Sequence, residues 1–232
     1  MALPLYLAMT AAEIEGSPAL PARMAYMACH FSAYGDGLSN CPKSLPEGSL
    51  LILNDRTPIC GHDPAQITAQ LEEILELNAC WGLLLDFQRP DVAETAVLAK
   101  YLVHELPCPV GISAVYGRAL DCPIFLPPVP PDTQPETYLS PWRGREIWLE
   151  AALDGLEITL TEAGASTSAL PFCEATENAH RDEMLHCHYH AQVSTAEARF
   201  TLCRTREDLD ELLEDAGSLG VAAAVGLWQE LN

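Results

Sequence analysis

Residues Asp63 to Pro90, DPAQITAQLEEILELNACWGLLLDFQRP, pass without a break from a helical pattern into a run of leucines. In the first half Ile67, Leu71, Ile74 and Leu75 fall on one helix face, Asp63 is placed to cap the helix, and Pro64 suits its first turn. In the second half a buried strand ends on two polar side chains. Strand residues alternate between faces, so Leu84, Asp86 and Gln88 point the same way and a carboxylate and an amide share one space.

Outward from this stretch, short apolar runs alternate with helical patterns along most of the chain. The runs are LPLYLAM (3–9), MAYMACHFSAY (24–34), SLLILND (49–55), WGLLLDF (81–87), CPVGISAVY (108–116), CPIFLPP (122–128), EIWLEAAL (146–153) and VAAAVGLW (221–228). Eight candidate strands in 232 residues predict an α/β chain folded as one (β/α)8 TIM barrel over residues 1–232. Asp91 and Glu94 have capping-box spacing; Leu98, Leu102 and Val103 supply the buried stripe of the helix that follows, and Pro107 stops it. A further helix starts at Thr205, carries Leu209, Leu212, Leu213 and Ala216, and ends near Gly217 and Gly220.

Two stretches break the rhythm. Residues 127–145 are proline-rich and read as a loop over one barrel end. Residues 154–204 hold LEITLTEAG, HCHYHAQV and ARFTLCRT, which predict a small α+β insertion between strands seven and eight, a β-rich subdomain of antiparallel strands.

With 12 Lys plus Arg against 33 Asp plus Glu, the formal charge of −21 repels phosphate backbones and anionic lipid surfaces, so neither nucleic acid nor a membrane is an expected partner. Nine irregularly spaced cysteines without a Cys-x-x-Cys pair read as reduced thiols. The start, MALPLYLAMTAAEIEG, has no basic leader and its apolar run is too short for a span; it reads as a first strand of a cytoplasmic protein.

The glycine-rich loop YGDGLSN (34–40) lacks the arrangement that cradles phosphate, and no cofactor is expected. HCHYH (186–190) invites a metal reading. Alternate strand residues lie ~6.5–7 Å apart, however, so His186, His188 and His190 cannot all hold one ion. A solvated strand face is expected there rather than a metal site, and the acidic run from Glu207 to Asp215 reads as a solvated helix face.

Residues 49–90 resemble the third strand, helix and fourth strand of family 18 glycoside hydrolases, the chitinase-like barrels. That family carries D-G-x-D-x-D-x-E on its fourth strand, where this chain has Trp81, Gly82, Leu83, Leu84, Leu85, Asp86, Phe87 and Gln88; the glycine and the last aspartate match. The end, TREDLDELLEDAGSLGVAAAVGLWQEL, is similar to the family's final helix and a last strand closing on a tryptophan, and HYHAQVSTAEARFTLCRTREDLDEL looks like its spore-cortex-lytic branch. The resemblance covers about three quarters of the chain in order.

The departures matter for the chemistry that this resemblance implies. The family's terminal glutamate protonates the glycosidic oxygen, and Gln88 has no such proton to give; loss of a general acid costs ~10²–10⁴ in rate. The sixth-strand M-x-Y-D, which holds the substrate's acetamido group, is matched only by FLPPVPP, and Leu84 replaces the middle aspartate. Three losses predict a barrel that is not an ordinary chitinase.

Three functions remain open. A non-catalytic module would bind an oligosaccharide or peptidoglycan fragment through Asp86 and Gln88, with Trp228 as the floor of the sugar site and His30, Asp55 and Tyr116 at the neighbouring strand ends. A glycosidase with relocated carboxylates would use Asp86 and Glu150. A structural, partner-binding protein would have its cleft filled by side chains.

Overall fold

The computed structural model describes residues 3–171, 173 and 178–232. Its strands in chain order are β1 (Leu5–Met9), β2 (Met24–Phe31), β3 (Leu38–Ser39), β4 (Leu50–Asn54), β5 (Gly82–Asp86), β6 (Val110–Ser113), β7 (Ile124–Leu126), β8 (Ile147–Ala151), β9 (Gly155–Thr161), β10 (Gly164–Leu170), β11 (His180–Asp182), β12 (Cys187–Val193), β13 (Glu197–Cys203) and β14 (Val221–Leu227). Eight of them run parallel in the order β1-β14-β8-β7-β6-β5-β4-β2, and pairing of β1 with β2 closes the ring. This is the (β/α)8 barrel that the alternating runs predict, and each of the eight runs contains one of its strands.

The ring forms because its strands are apolar on both sides. Leu50, Ile52 and Leu84 point inward with Ala25, Phe125, Ala223 and Val225. Leu51, Leu53, Leu83 and Leu85 point outward; the helices α1 (Ala11–Gly16), α2 (Pro64–Leu77) and α3 (Ala93–Glu105) lie on that side, where Ile67, Leu71 and Leu75 of α2 and Leu98 and Leu102 of α3 cover them. The lower interior is filled by aromatics. Trp81 lies between Tyr6 and Trp148, ring centres 5.2 and 5.0 Å away, and a Cβ on Gly111 would stand 2.4 Å from the Trp148 ring. The barrel interior is therefore solid at that end, and its open space lies at the C-terminal mouth.

Of the three helix starts expected from the sequence, two form as local chemistry predicts and one does not. Asp63 accepts from the Ala65 N–H at 3.1 Å and caps α2. Thr205 and Asp208 form a reciprocal capping box at the start of α4 (Arg206–Ser218). The box expected from Asp91 and Glu94 does not form: Asp91 adopts φ +58°, the cap position falls on Val92, and the Val92 N–H is taken by the Tyr116 hydroxyl at 3.3 Å.

Between β8 and β14 the chain builds a separate antiparallel sheet in the order β10-β9-β13-β12-β11. Arg204, at its end, is buried and donates to the carbonyls of His186 and Val129 at 3.1 and 2.8 Å, tying the sheet to the proline-rich 127–145 loop. Cys173 and Cys203 are paired as a disulfide, with Cα atoms 5.4 Å apart. The expectation of thiols throughout is corrected for this pair, which the fold brings together across 30 residues of sequence. Among the described residues no helix is long and apolar enough to cross a membrane.

Candidate functional site at the barrel mouth

The C-terminal strand ends enclose a cavity of about 690 Å³. Ala8, Ile52, Leu84 and Val225 line its lower part, and Asn54, Asp55, Asp86, Gln88, His30 and Glu150 bring polar groups to it. Leu84, Asp86 and Gln88 do share one side, as strand alternation requires. The Gln88 amide donates to the Asp86 carboxylate.

Asp55 acts on the backbone. Its two carboxylate oxygens accept from the N–H groups of Gln88 and Arg89 at 3.1 and 2.9 Å, which fixes the path of the chain as it leaves β5 and so aims Gln88. His30 borders the cavity with its Nδ1 3.0 Å from the Ala28 carbonyl. Asn54, absent from the set of residues expected here, is the register partner of Asp86, and its amide donates to the Met27 and Cys29 carbonyls at 3.1 and 3.0 Å, where the β2–β4 register shifts. Period-two counting on SLLILND points Asn54 inward with Leu50 and Ile52, so the signal is present in the sequence.

Two expected members lie elsewhere. Trp228 does not border the cavity; Ala223 and Val225 face the interior, Leu227 continues that parity to the mouth, and Trp228 falls on the other side. It opens the terminal helical turn Trp228–Leu231, packs half-buried against the layer outside the barrel, and edges a shallow depression with Glu13 and Gln229. Tyr116 sits in a short helix after β6, packs edge-on against Phe87, and its hydroxyl donates to the Arg89 carbonyl. It braces the loop behind the site.

The electrostatics set the two carboxylic acids apart. Burial raises Asp86 above the usual carboxylate range; the Gln88 hydrogen bond opposes this and the Asp55 charge adds to it. Burial pushes Glu150 from 4.5 up to about 7, with further lifts from the charges of Asp86, Asp154 and Glu230. No hydrogen bond from a described residue stabilises the Glu150 carboxylate. Near neutral pH it is therefore divided between an acid that can donate a proton and an anion that can accept one.

The histidine cluster is a solvated strand face only in part: His190 is half-exposed, and His186 and His188 are taken up by acids. His186 precedes β12 at φ +48°, is buried, and places Nε2 2.8 Å from Asp215, while His188 Nδ1 is 2.8 Å from Asp208. Arg181 reaches the same Asp208 at 3.2 Å and bonds Glu211. One edge of α4 thus docks on the inserted sheet through histidine and arginine: Asp208 is buried there, while Glu207, Asp210, Glu214 and Asp215 keep the solvated face that the acidic run predicts. Among the described residues no three His, Cys, Asp or Glu side chains gather as a metal-ligand set.

No protein-family model matches the sequence, and no curated protein does. Solved structures do match the fold. The spore cortex-lytic enzyme SleL of Bacillus cereus superposes with TM-score 0.55 at 10% identity, over 97% of this chain and 70% of that one. A chitinase of Chromobacterium violaceum gives TM-score 0.58 at 9% identity over 97% and 93%. A chitinase of Cycas revoluta, solved in complex with (GlcNAc)3, gives 0.56 at 11% identity over 98% and 94%. The fold of this chain is the TIM barrel of the chitinases and cortex-lytic enzymes.

Proposed function

We propose that this chain is a catalytically degenerate relative of family 18 glycoside hydrolases that binds an oligosaccharide at the barrel mouth. One observation carries the reading: an open cavity of about 690 Å³, bordered by Asp86 and Gln88, lies at the strand ends where such barrels place their sites. The volume is of the size that small-molecule sites have, and its open state speaks against a cleft filled by side chains. Chitinase structures of the same fold hold N-acetylglucosamine oligomers. The resemblance of residues 81–88 to the family's fourth strand puts Gln88 at the position of the proton donor, and its amide is engaged with Asp86, so in this reading it serves as a hydrogen-bonding group.

A second reading has its own support. Glu150, pushed up to about 7, has the protonation behaviour of a general acid at neutral pH, and Asp86 borders the same cavity, so the pair is the candidate for a relocated hydrolytic site.

Calorimetric titration with chitooligosaccharides and peptidoglycan fragments, followed by a cleavage assay on the same ligands, separates these readings. Binding without turnover is the expected result. Turnover that disappears in Glu150→Gln would transfer the assignment to the second reading, and absence of binding to every ligand would sink both.

A further inference from the structure

Glu150 differs from the other carboxylates of the cavity, Asp55 and Asp86, in having no hydrogen-bond partner among the described residues. Asp55 holds two backbone N–H groups and Asp86 holds the Gln88 amide. Around Glu150 the nearest charges are negative: Asp86 on β5, Asp154 just beyond β8, and Glu230 near the C-terminus, whose carboxylate accepts the Leu153 N–H. The other titratable groups on its side are Tyr138, whose hydroxyl donates to the Pro127 carbonyl, and His30, Asp55 and Arg56 of the cavity lining. Arg56 is exposed at the rim, and no cation lowers either Asp86 or Glu150.

A half-buried carboxylate beside like charges and without a counter-ion is an unfavourable arrangement that a bound cation relieves. A chain of charge −21 also concentrates cations at a concave site of low dielectric. We propose that the mouth of the barrel selects a saccharide with a free amine, whose ammonium group is held by the Asp86 and Glu150 carboxylates. This rests on the saccharide-binding reading and adds the ligand class. An ammonium brings three donors and a positive charge; an acetamido group brings one donor and no charge, leaving the carboxylates unrelieved.

Charged hydrogen bonds are about twice as strong as neutral ones, so the free-amine sugar is expected to bind about 10- to 100-fold more tightly than its N-acetylated counterpart. Because the ammonium favours the ionised carboxylate, binding drives a proton off the part-protonated Glu150, while the sugar's amine, itself only part-protonated near neutral pH, takes one up, so the net count is the difference between the two.

The test is calorimetry at about pH 6.5 with glucosamine tetramer, N-acetylglucosamine tetramer and the sugar-free diamine putrescine, in buffers of different ionisation enthalpy. Tighter binding of the glucosamine tetramer is the expected outcome, with a proton balance shifted toward release in the parent protein relative to Glu150→Gln. In Glu150→Gln and in Asp86→Asn, each checked for its fold by circular dichroism, the preference should fall about tenfold or more, and Glu150→Gln should shift the proton balance toward uptake. Equal or tighter binding of the acetylated tetramer overturns the proposal while leaving saccharide binding intact. Putrescine binding as tightly as the glucosamine tetramer overturns it as well. Failure of both sugars removes the saccharide reading together with it.

Discussion

The barrel mouth and the seam between α4 and the inserted sheet both gather acids, and treat them in opposite ways. At the seam Asp208 is fully buried yet meets Arg181, His188 and the Thr205 cap, and Glu211 and Asp215 meet Arg181 and His186. Burial acts to raise Asp208, but hydrogen bonds from Thr205 and His188 outweigh it and leave the carboxyl below its ordinary value. At the mouth Glu150 has burial and negative neighbours with no such partners, and is pushed up to about 7. Acids answered by cations and caps hold a fold together. Acids left unanswered beside an open cavity are a cost to the fold, and such costs concentrate where a ligand or substrate relieves them.

The sharpest way to break this contrast is Asp208→Ala. The change strands Arg181 and His188 and removes the α4 cap, so a stability loss of about 4 kcal/mol is expected, read from urea unfolding as a lower midpoint. A loss under about 1 kcal/mol would mean that the seam does not brace the fold.

Next in size is Glu150→Gln, where the sign reverses. Between 4.5 and about 7 the folded chain holds a proton at Glu150 that the unfolded chain has released, so its ionisation costs stability as pH rises through that window. An amide in its place carries no such cost. The variant should gain on the parent protein as pH is taken from about 5 to about 8, by at most ~3 kcal/mol and less in proportion to solvent screening. Parallel unfolding curves at both pH values check this. Asp208, held low, contributes in the other sense: its stabilisation is present above the ordinary carboxylate value and lost as pH falls through the lowered one.

The same contrast shows what is legible in the sequence. DPAQITAQLEEILELNACWGLLLDF holds its helix cap, helix face and strand parity within neighbouring residues, and the placing of α2, β5 and the Leu84, Asp86 and Gln88 side follows from those local rules. Trp228 departs from its expected place by one step of parity at a strand end, where β14 gives way to a helical turn. Tyr116 and Asp91 depend on a bond between the loops after β5 and β6, which no local pattern announces. HCHYH and the acidic run of α4 each look solvated when read alone. Their pairing spans 20 residues from His188 to Asp208 and 29 from His186 to Asp215, distances at which periodicity carries no information.

The smallest effect separates pairing from burial. Arg143 and Glu136 form an ion pair at 3.0 Å with side chains 72% and 69% exposed, so it has the geometry of the seam without its burial. Water already solvates both groups, and holding two long side chains in one place costs entropy, so a double-mutant cycle with Arg143→Ala and Glu136→Ala should return about 0.5 kcal/mol or less, falling further with added salt. A coupling near that expected at Asp208 would show that ion pairing alone stabilises this fold. A coupling close to zero places the difference between the seam and the rest of the acidic surface in the desolvation of Asp208, where removing a partner leaves a charge that water cannot reach.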